Sequence, residues 1–336
     1  MHIDCQDGNR FPSNAGGVLV ISLDFELMWG SLDVSAPFAY RKNIEGAREA
    51  VPKILSLFEK YGVHATWGIV GLLMQKSIQA CSNNLPEVMP NYDQPSLSVY
   101  SYFDLLRECD NRLLFAGELV EMIGRSQNQE IGTHTYSHYY CMESGQTKEA
   151  FECDLQLAKK AVCDHAKSVR SMILPRNQFN LAYADVMTKN GILNYRGNEN
   201  VWFYRSCETK KKKSPVLRLM RLLDAYTGIF GNHCYPISSI REASGLNNIR
   251  SSRFFRPYSK HMAVLEPLRM RRIFMQMTFA AKHNQVFHLW FHPHNFGCNT
   301  KRNLQNLEQI LLHYRALKAQ YGMESMTMGE LGDIVP

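Results

Sequence analysis

The chain has 336 residues, 45% of them hydrophobic, with a net charge of +7. That is ample for a substantial core, and no apolar run approaches the roughly 20 residues that a membrane-spanning helix needs. The mild basic excess fits an anionic partner, whether nucleic acid, phospholipid or acidic glycan, and does not choose among them.

The nine cysteines form no Cys-x-x-Cys pair, which reads as reduced, mostly buried thiols in a cytosolic setting. Residues Met1–Arg10 lack the basic-then-apolar pattern of a secretory signal. The expectation is a soluble, cytoplasmic protein.

Taken in order, the short apolar run Val18–Leu23 reads as a buried parallel strand with Asp24 and Glu26 at its C-terminal end. The two acids either carry chemistry or cap a following helix. Ile44, Ala47, Val51, Ile54, Leu55 and Phe58 recur at helical spacing up to Gly62, with Pro52 expected to delay or kink that helix. Val63–Val70 is a second β-rich run, and His64 at its start is more simply structural than a ligand. Residues 75–110, rich in Ser, Asn, Tyr and Pro, read as an irregular insertion that either lines a cleft or is passive.

Helical spacing resumes at Leu113–Ile123, and Glu130–Gly132 leads into His134 and His138, two imidazoles four residues apart. That spacing can aim both at one divalent ion. Phe151–Val162 is a further helix, Val169–Leu174 a strand running into Pro175, Arg176 and Asn177, and Ala184–Lys189 a helix stopped at Gly191 before the strand Ile192–Tyr195. Lys210–Lys213 precede Ser214 and Pro215. A helix follows with Val216, Leu219, Met220, Leu223 and Tyr226 on one face and Arg218 and Arg221 on another. This basic amphipathic segment, about residues 210–230, either lies on an anionic membrane or packs on the body with a solvated charged side. Ile273–Ala281 is helical, Val286–Phe291 is a last strand before His292 and His294, and Leu304–Tyr321 is a closing helix. Strand and helix alternate, and the chemically interesting residues fall just after strands, as in a parallel α/β sheet or barrel.

Four stretches together resemble the NodB-like polysaccharide deacetylases of carbohydrate esterase family 4. These are Ser22–Glu26, Ile131–His138, Leu174–Asn177 and Trp290–His294. The likeness to the family's His-(Ser/Thr)-x-x-His motif at His134–His138 is close. Asp24 and Glu26, separated by one residue, resemble the branch that uses Asp-x-Glu rather than two adjacent aspartates. The resemblance implies a distorted (β/α) barrel in a single domain spanning 16–336. It implies a hydrolase of carbon–nitrogen bonds that removes N- or O-acetyl groups from a carbohydrate, such as a surface glycan precursor.

On that likeness Glu26, His134 and His138 hold one divalent metal, most simply Zn2+, with Co2+, Ni2+ or Mn2+ as alternatives. Asp24 is the base, although its role and that of Glu26 could be exchanged. Arg176 orients Asp24, and His292 or His294 supplies the acid. Trp29, Tyr136, Asn177, Trp290 and His294 would contact substrate, although the aromatic residues could equally fill the core. The partner is a carbohydrate and not a nucleic acid, with peripheral contact to an anionic inner-membrane face through Lys210–Lys213. The rival readings are a metal amidohydrolase of a small cyclic amide or ureide, and a non-catalytic glycan-binding homologue.

Overall fold

A computed structural model describes residues 16–34, 39–166, 168–212 and 214–335. The expectation about a leader falls on residues outside that set. So does Lys213, and the side chains of Lys210 and Lys212 are also outside it.

The architecture grows from strand β1 (Val18–Phe25), every residue of which is buried. Successive side chains on a strand point to opposite faces. Leu19, Ile21, Leu23 and Phe25 join the large core shared with the surrounding helices, whereas Val18 and Val20 join a smaller apolar cluster with Ile173, Ile249, Val286 and Met328. Ser22 and Asp24 continue that second line.

Strands β2 (Ala65–Ile69), β3 (Gln129–Thr133), β4 (Ser171–Met172) and β5 (Asn194–Tyr195) follow β1 in parallel order. Strand β6 (Tyr235–Pro236) is an antiparallel edge, and β7 (Asn247–Asn248) pairs with β5. Six residues on from the start of β7, β8 (Arg253–Phe254) pairs with β9 (Gln285–Phe291), which itself lies beside β1. One extended stretch thus leaves β5 and reaches β9, joining the two sides of the curled sheet into a distorted (β/α) barrel. Strand β10 (Glu324–Met326) pairs with the start of β1, and the helix Met328–Asp333 follows it with a Thr327–Glu330 capping box.

The helix Arg41–Tyr61 buries Ile44, Ala47, Val51, Ile54 and Phe58 and ends at Gly62, whose φ of 61° suits glycine. It runs unbroken through Pro52, contrary to the expected delay or kink. A proline inside a helix costs about 3 kcal/mol, while each large apolar side chain buried along this face contributes about 1.5–3 kcal/mol, so packing outweighs the lost hydrogen bond. His64 hydrogen-bonds Glu330 at 2.7 Å and is structural. The 75–110 stretch forms short helical turns, including Ile78–Asn83 and Phe103–Leu106. Among the described residues it supplies no side chain to the main cavity; its Tyr92 hydroxyl instead accepts the Tyr140 N–H at 2.8 Å.

The helix Pro215–Tyr226 reverses one expectation. Its Arg218, Arg221 and Ala225, spaced for one face, line the main cavity, while Val216, Leu219, Leu222 and Leu223 are exposed. The helix is anchored by polar contacts: fully buried Asp224 accepts from Arg253 at 2.8 Å and from Tyr204 at 3.1 Å, and lies 3.1 Å from His233.

Candidate active site

Two residue lines meet where the strands end. On β1 the inward line is Val18, Val20, Ser22 and Asp24. On β9 the same alternation gives Val286, His288, Trp290 and then His292 just past the strand end. His288 Nε2 sits 2.8 Å from Ser22 Oγ, and His292 Nε2 sits 3.6 Å from Asp24 Oδ2 and 3.7 Å from Glu26 Oε1. Access to the cavity distinguishes the two candidate acids. His292 lines the cavity, whereas His294 is buried behind it, 3.8 Å from Glu26, and burial pushes its pKa down to about 4.

His134 follows β3 directly, and its loop is held by Asp154 from the helix Lys148–Val162. Asp154 accepts the N–H groups of Tyr136 at 2.7 Å and Ser137 at 3.0 Å, as well as the Ser137 hydroxyl. Thr135 and His138 are both in the left-handed region, at φ 65° and 56°, a strain that needs such anchoring. The result brings His134 Nε2 and His138 Nε2 to 3.2 and 3.0 Å from the same Glu26 oxygen.

The proton arrangement suits a metal. His134 Nδ1 lies 2.7 Å from the Ile173 carbonyl and must donate to it, which turns Nε2 toward Glu26; among the described residues that buried atom has no hydrogen-bond partner. His138 Nδ1 lies 3.0 Å from the Tyr140 hydroxyl, which donates in turn to Asp33 at 3.2 Å. Both rings are thereby oriented by their second nitrogens with Nε2 facing Glu26, as metal-binding histidines commonly are. Burial lowers the His138 pKa, with Glu26 opposing. A Cβ on Gly30 would overlap the Glu26 carboxylate, so this glycine is the cradle for it. Glu26, His134 and His138, whose ligand atoms lie within 4.8 Å of one another, form a centre fit for one divalent ion.

Asp24 has a guanidinium partner, and it is Arg196 rather than the expected Arg176. Arg196 follows β5, is buried, and grips Asp24 with two bonds of 2.5 and 2.7 Å. Asn177 Oδ1 accepts from the same guanidinium at 2.7 and 3.1 Å, and the Trp290 ring lies 4.2 Å from it. Burial alone would raise the Asp24 pKa, but Arg196 outweighs it and keeps the carboxyl below its ordinary value. Arg176 instead bonds Asp33 and Thr209 and lies 4.3 Å from the Tyr140 ring. Its path to the site runs through Asp33 and Tyr140 to His138.

Two of the expected substrate contacts belong to the core. Trp29 is buried, donates to the Leu114 carbonyl at 2.7 Å and packs against Phe103 and Phe115. Tyr136 is buried against Gly71. Asn177 and Trp290 do line the cavity. Arg196, Asp33 and Tyr140 escaped the sequence reading. Arg196 carried the signal that selected the others, since it stands just after a strand.

The cavity holds about 750 Å3 and opens over Asp24, Glu26, His134, His138 and His292 at the C-terminal ends of the strands. Residues 43–194 match the model of the polysaccharide deacetylase family. Over that span, which carries the histidine pair, the chain is similar to the polysaccharide deacetylases. A candidate polysaccharide deacetylase from Mycobacterium smegmatis shares the fold at a TM-score of 0.61 and 13% identity, over 98% of this chain and 93% of that one. A branching enzyme of the GH57 type from Pyrococcus horikoshii aligns at 0.52 and 12%, over 95% and 70%. The α-amylase AmyC from Thermotoga maritima aligns at 0.53 and 12%, over 95% and 75%. No curated protein matches the chain at a significant level. Fold likeness at these identities fixes architecture and not reaction, so the chemistry rests on the site and the family span.

Proposed function

We propose that this chain is a metal-dependent deacetylase that hydrolyses an N- or O-acetyl group on a carbohydrate, with Asp24, His292 and the Glu26–His134–His138 centre as its working parts. The observation that supports this most directly is the convergence of those five side chains at the floor of one cavity. A divalent ion held by Glu26, His134 and His138 would polarise the acyl oxygen and lower the pKa of a water. One carboxylate with two imidazoles suits zinc best.

Asp24, kept ionised by Arg196, takes the proton from water as its oxygen attacks the acyl carbon. His292, partly open to the cavity, gives a proton to the departing nitrogen or oxygen as its bond to the acyl carbon breaks. Acetate and the free amine or alcohol leave. Asn177 and Trp290 position Arg196, and Asp33 and Tyr140 orient His138.

The substrate is taken to be a precursor of a surface glycan, handled in the cytoplasm or at the inner face of a membrane by one catalytic domain. The eight described cysteines are all free, which supports a reducing compartment. No described helix is long and apolar enough to cross a membrane. Surface contact is supported by the exposed Val216, Leu219, Leu222 and Leu223 beside the lysine run. Co-sedimentation with anionic vesicles should fall in Leu219→Ser/Leu223→Ser and with Lys210–Lys213 changed to Gln. Indifference to all of these changes removes the membrane element alone.

The test of the activity is acetate release from a panel of N-acetylated oligosaccharides, sugar phosphates and nucleotide sugars by the zinc-loaded protein. Ammonia or ring-opened product from cyclic amides, without acetate from any sugar, transfers the site to the amidohydrolase reading. Glycan binding without turnover makes it a binding module.

A further inference from the structure

The helix Pro215–Tyr226 and the stretch Arg253–Arg256 bring four guanidinium groups, Arg218, Arg221, Arg253 and Arg256, to the lining of the same cavity. Most other arginines at this site are committed. Arg196 is paired with Asp24, and Arg176 is bonded to Asp33. By contrast, among the described residues no carboxylate forms an ion pair with Arg218, Arg221 or Arg256. Arg221 donates to the Phe203 carbonyl at 2.9 Å.

Arg253 adds an independent observation. It is 4% exposed, its Nε donates to Gln276 and its Nη1 to Asp224, yet its buried Nη2 has no partner among the described residues. Buried donors are nearly always satisfied, and buried charge is nearly always paired. Burial lowers the Arg256 pKa; Tyr204 opposes that, while Arg253 and Arg269 reinforce it through like charge. The carboxyl of Glu199 also lines the cavity, and burial raises its pKa toward the neutral form, so it opposes an anion weakly.

Four guanidinium groups around one space, only Arg253 of them paired with a carboxylate among the described residues, repel one another unless something of opposite charge enters it. Their planar forks match phosphate and carboxylate oxygens, and a neutral acetylated sugar gives them nothing to bind. We propose that Arg218, Arg221, Arg253 and Arg256 form an oxyanion subsite continuous with the catalytic floor, and that the substrate is an acetylated saccharide bearing a phosphate or carboxylate group. This rests on the deacetylase reading for the acetyl group, but not for the anion. Because Arg218 and Arg221 share a helix with the exposed leucines, the anionic end of the substrate lies beside the apolar surface.

Two measurements test it separately. Binding of inorganic pyrophosphate to the full chain is followed by calorimetry in the wild type, His134→Ala, Arg256→Gln and the solvent-exposed Arg218→Glu, with melting curves to confirm folding. The wild type and His134→Ala should bind alike, and both arginine variants at least tenfold more weakly. Acetate release is then compared for N-acetylglucosamine 1-phosphate, an N-acetylated disaccharide carrying a uronate, and neutral diacetylchitobiose. One of the two anionic substrates should show a KM at least tenfold below the neutral one, and its identity tells phosphate from carboxylate. The arginine variants should raise that KM far more than they lower kcat. Equal pyrophosphate affinity in wild type and arginine variants, or its loss in His134→Ala, overturns the subsite, as does equal KM across the three substrates. Arginine-dependent binding without acetate from any sugar leaves the subsite standing and removes the deacetylase reading.

Discussion

Replacing Arg196 by glutamine removes the only guanidinium among the described residues that grips Asp24, through bonds of 2.5 and 2.7 Å. Both partners are almost wholly inaccessible, so the carboxylate left behind is a buried, uncompensated charge beside Glu26. Breaking a buried pair from one side costs about 3–5 kcal/mol, which agrees with two charge-assisted hydrogen bonds at about 1.5–3 kcal/mol each. Part of that cost is avoided if Asp24 takes up a proton, but a protonated Asp24 is no longer a base. Arg196→Gln should therefore lose stability in denaturant titration by about 3 kcal/mol or more, and lose about 10²–10⁴ in kcat. Its metal content should stay near the wild-type level, because Arg196 touches none of Glu26, His134 and His138. Arg176→Gln should show the opposite profile, a metal affinity lower by about 10–100-fold through Asp33, Tyr140 and His138, and a smaller effect on metal-saturated turnover. An Arg196→Gln protein as stable and active as wild type, with Arg176→Gln carrying the loss of turnover, would refute the assignment.

Two further outcomes follow from the same geometry. Gly30→Ala places a methyl group against the Glu26 carboxylate, so the purified variant should fold but hold much less metal, read by elemental analysis. Asp224 is pulled down to about 2, with burial opposing and His233 and Arg253 prevailing, so its contribution to stability is complete above about pH 4 and is lost as pH falls through about 2. Discounted for screening, that is about 1–2 kcal/mol, and melting curves of Asp224→Asn should show a shallower decline than wild type between pH 4 and pH 2.

Strands β1 and β9 were legible as the apolar runs Val18–Leu23 and Val286–Phe291, but the alternation that carries Asp24 and His292 to the same side is visible only in the structure, because both faces of these strands are buried. The strands β7 and β8 are two residues long, too short for any periodicity, so the stretch that closes the barrel left no pattern. The Thr327–Glu330 signature of the last helix was present and passed over. For the helix Pro215–Tyr226, spacing separates arginines from leucines but not inside from outside. The deciding residue is Asp224, whose buried contacts with Arg253 and His233 are distant in sequence. The same limit explains the exchange of Arg176 for Arg196. Both stand after strands, and only the three-dimensional position of Asp33 assigns each guanidinium to its carboxylate.

The central claim is that two acids one residue apart do different work, Asp24 as a base gripped by Arg196 and Glu26 as a ligand shared with His134 and His138. Its most direct test is metal content and acetate release measured side by side for Asp24→Asn and Glu26→Gln. The account predicts that Asp24→Asn keeps about one divalent ion per chain and loses about 10²–10⁴ in turnover, while Glu26→Gln loses both ion and turnover. Metal lost from Asp24→Asn and retained in Glu26→Gln would contradict it.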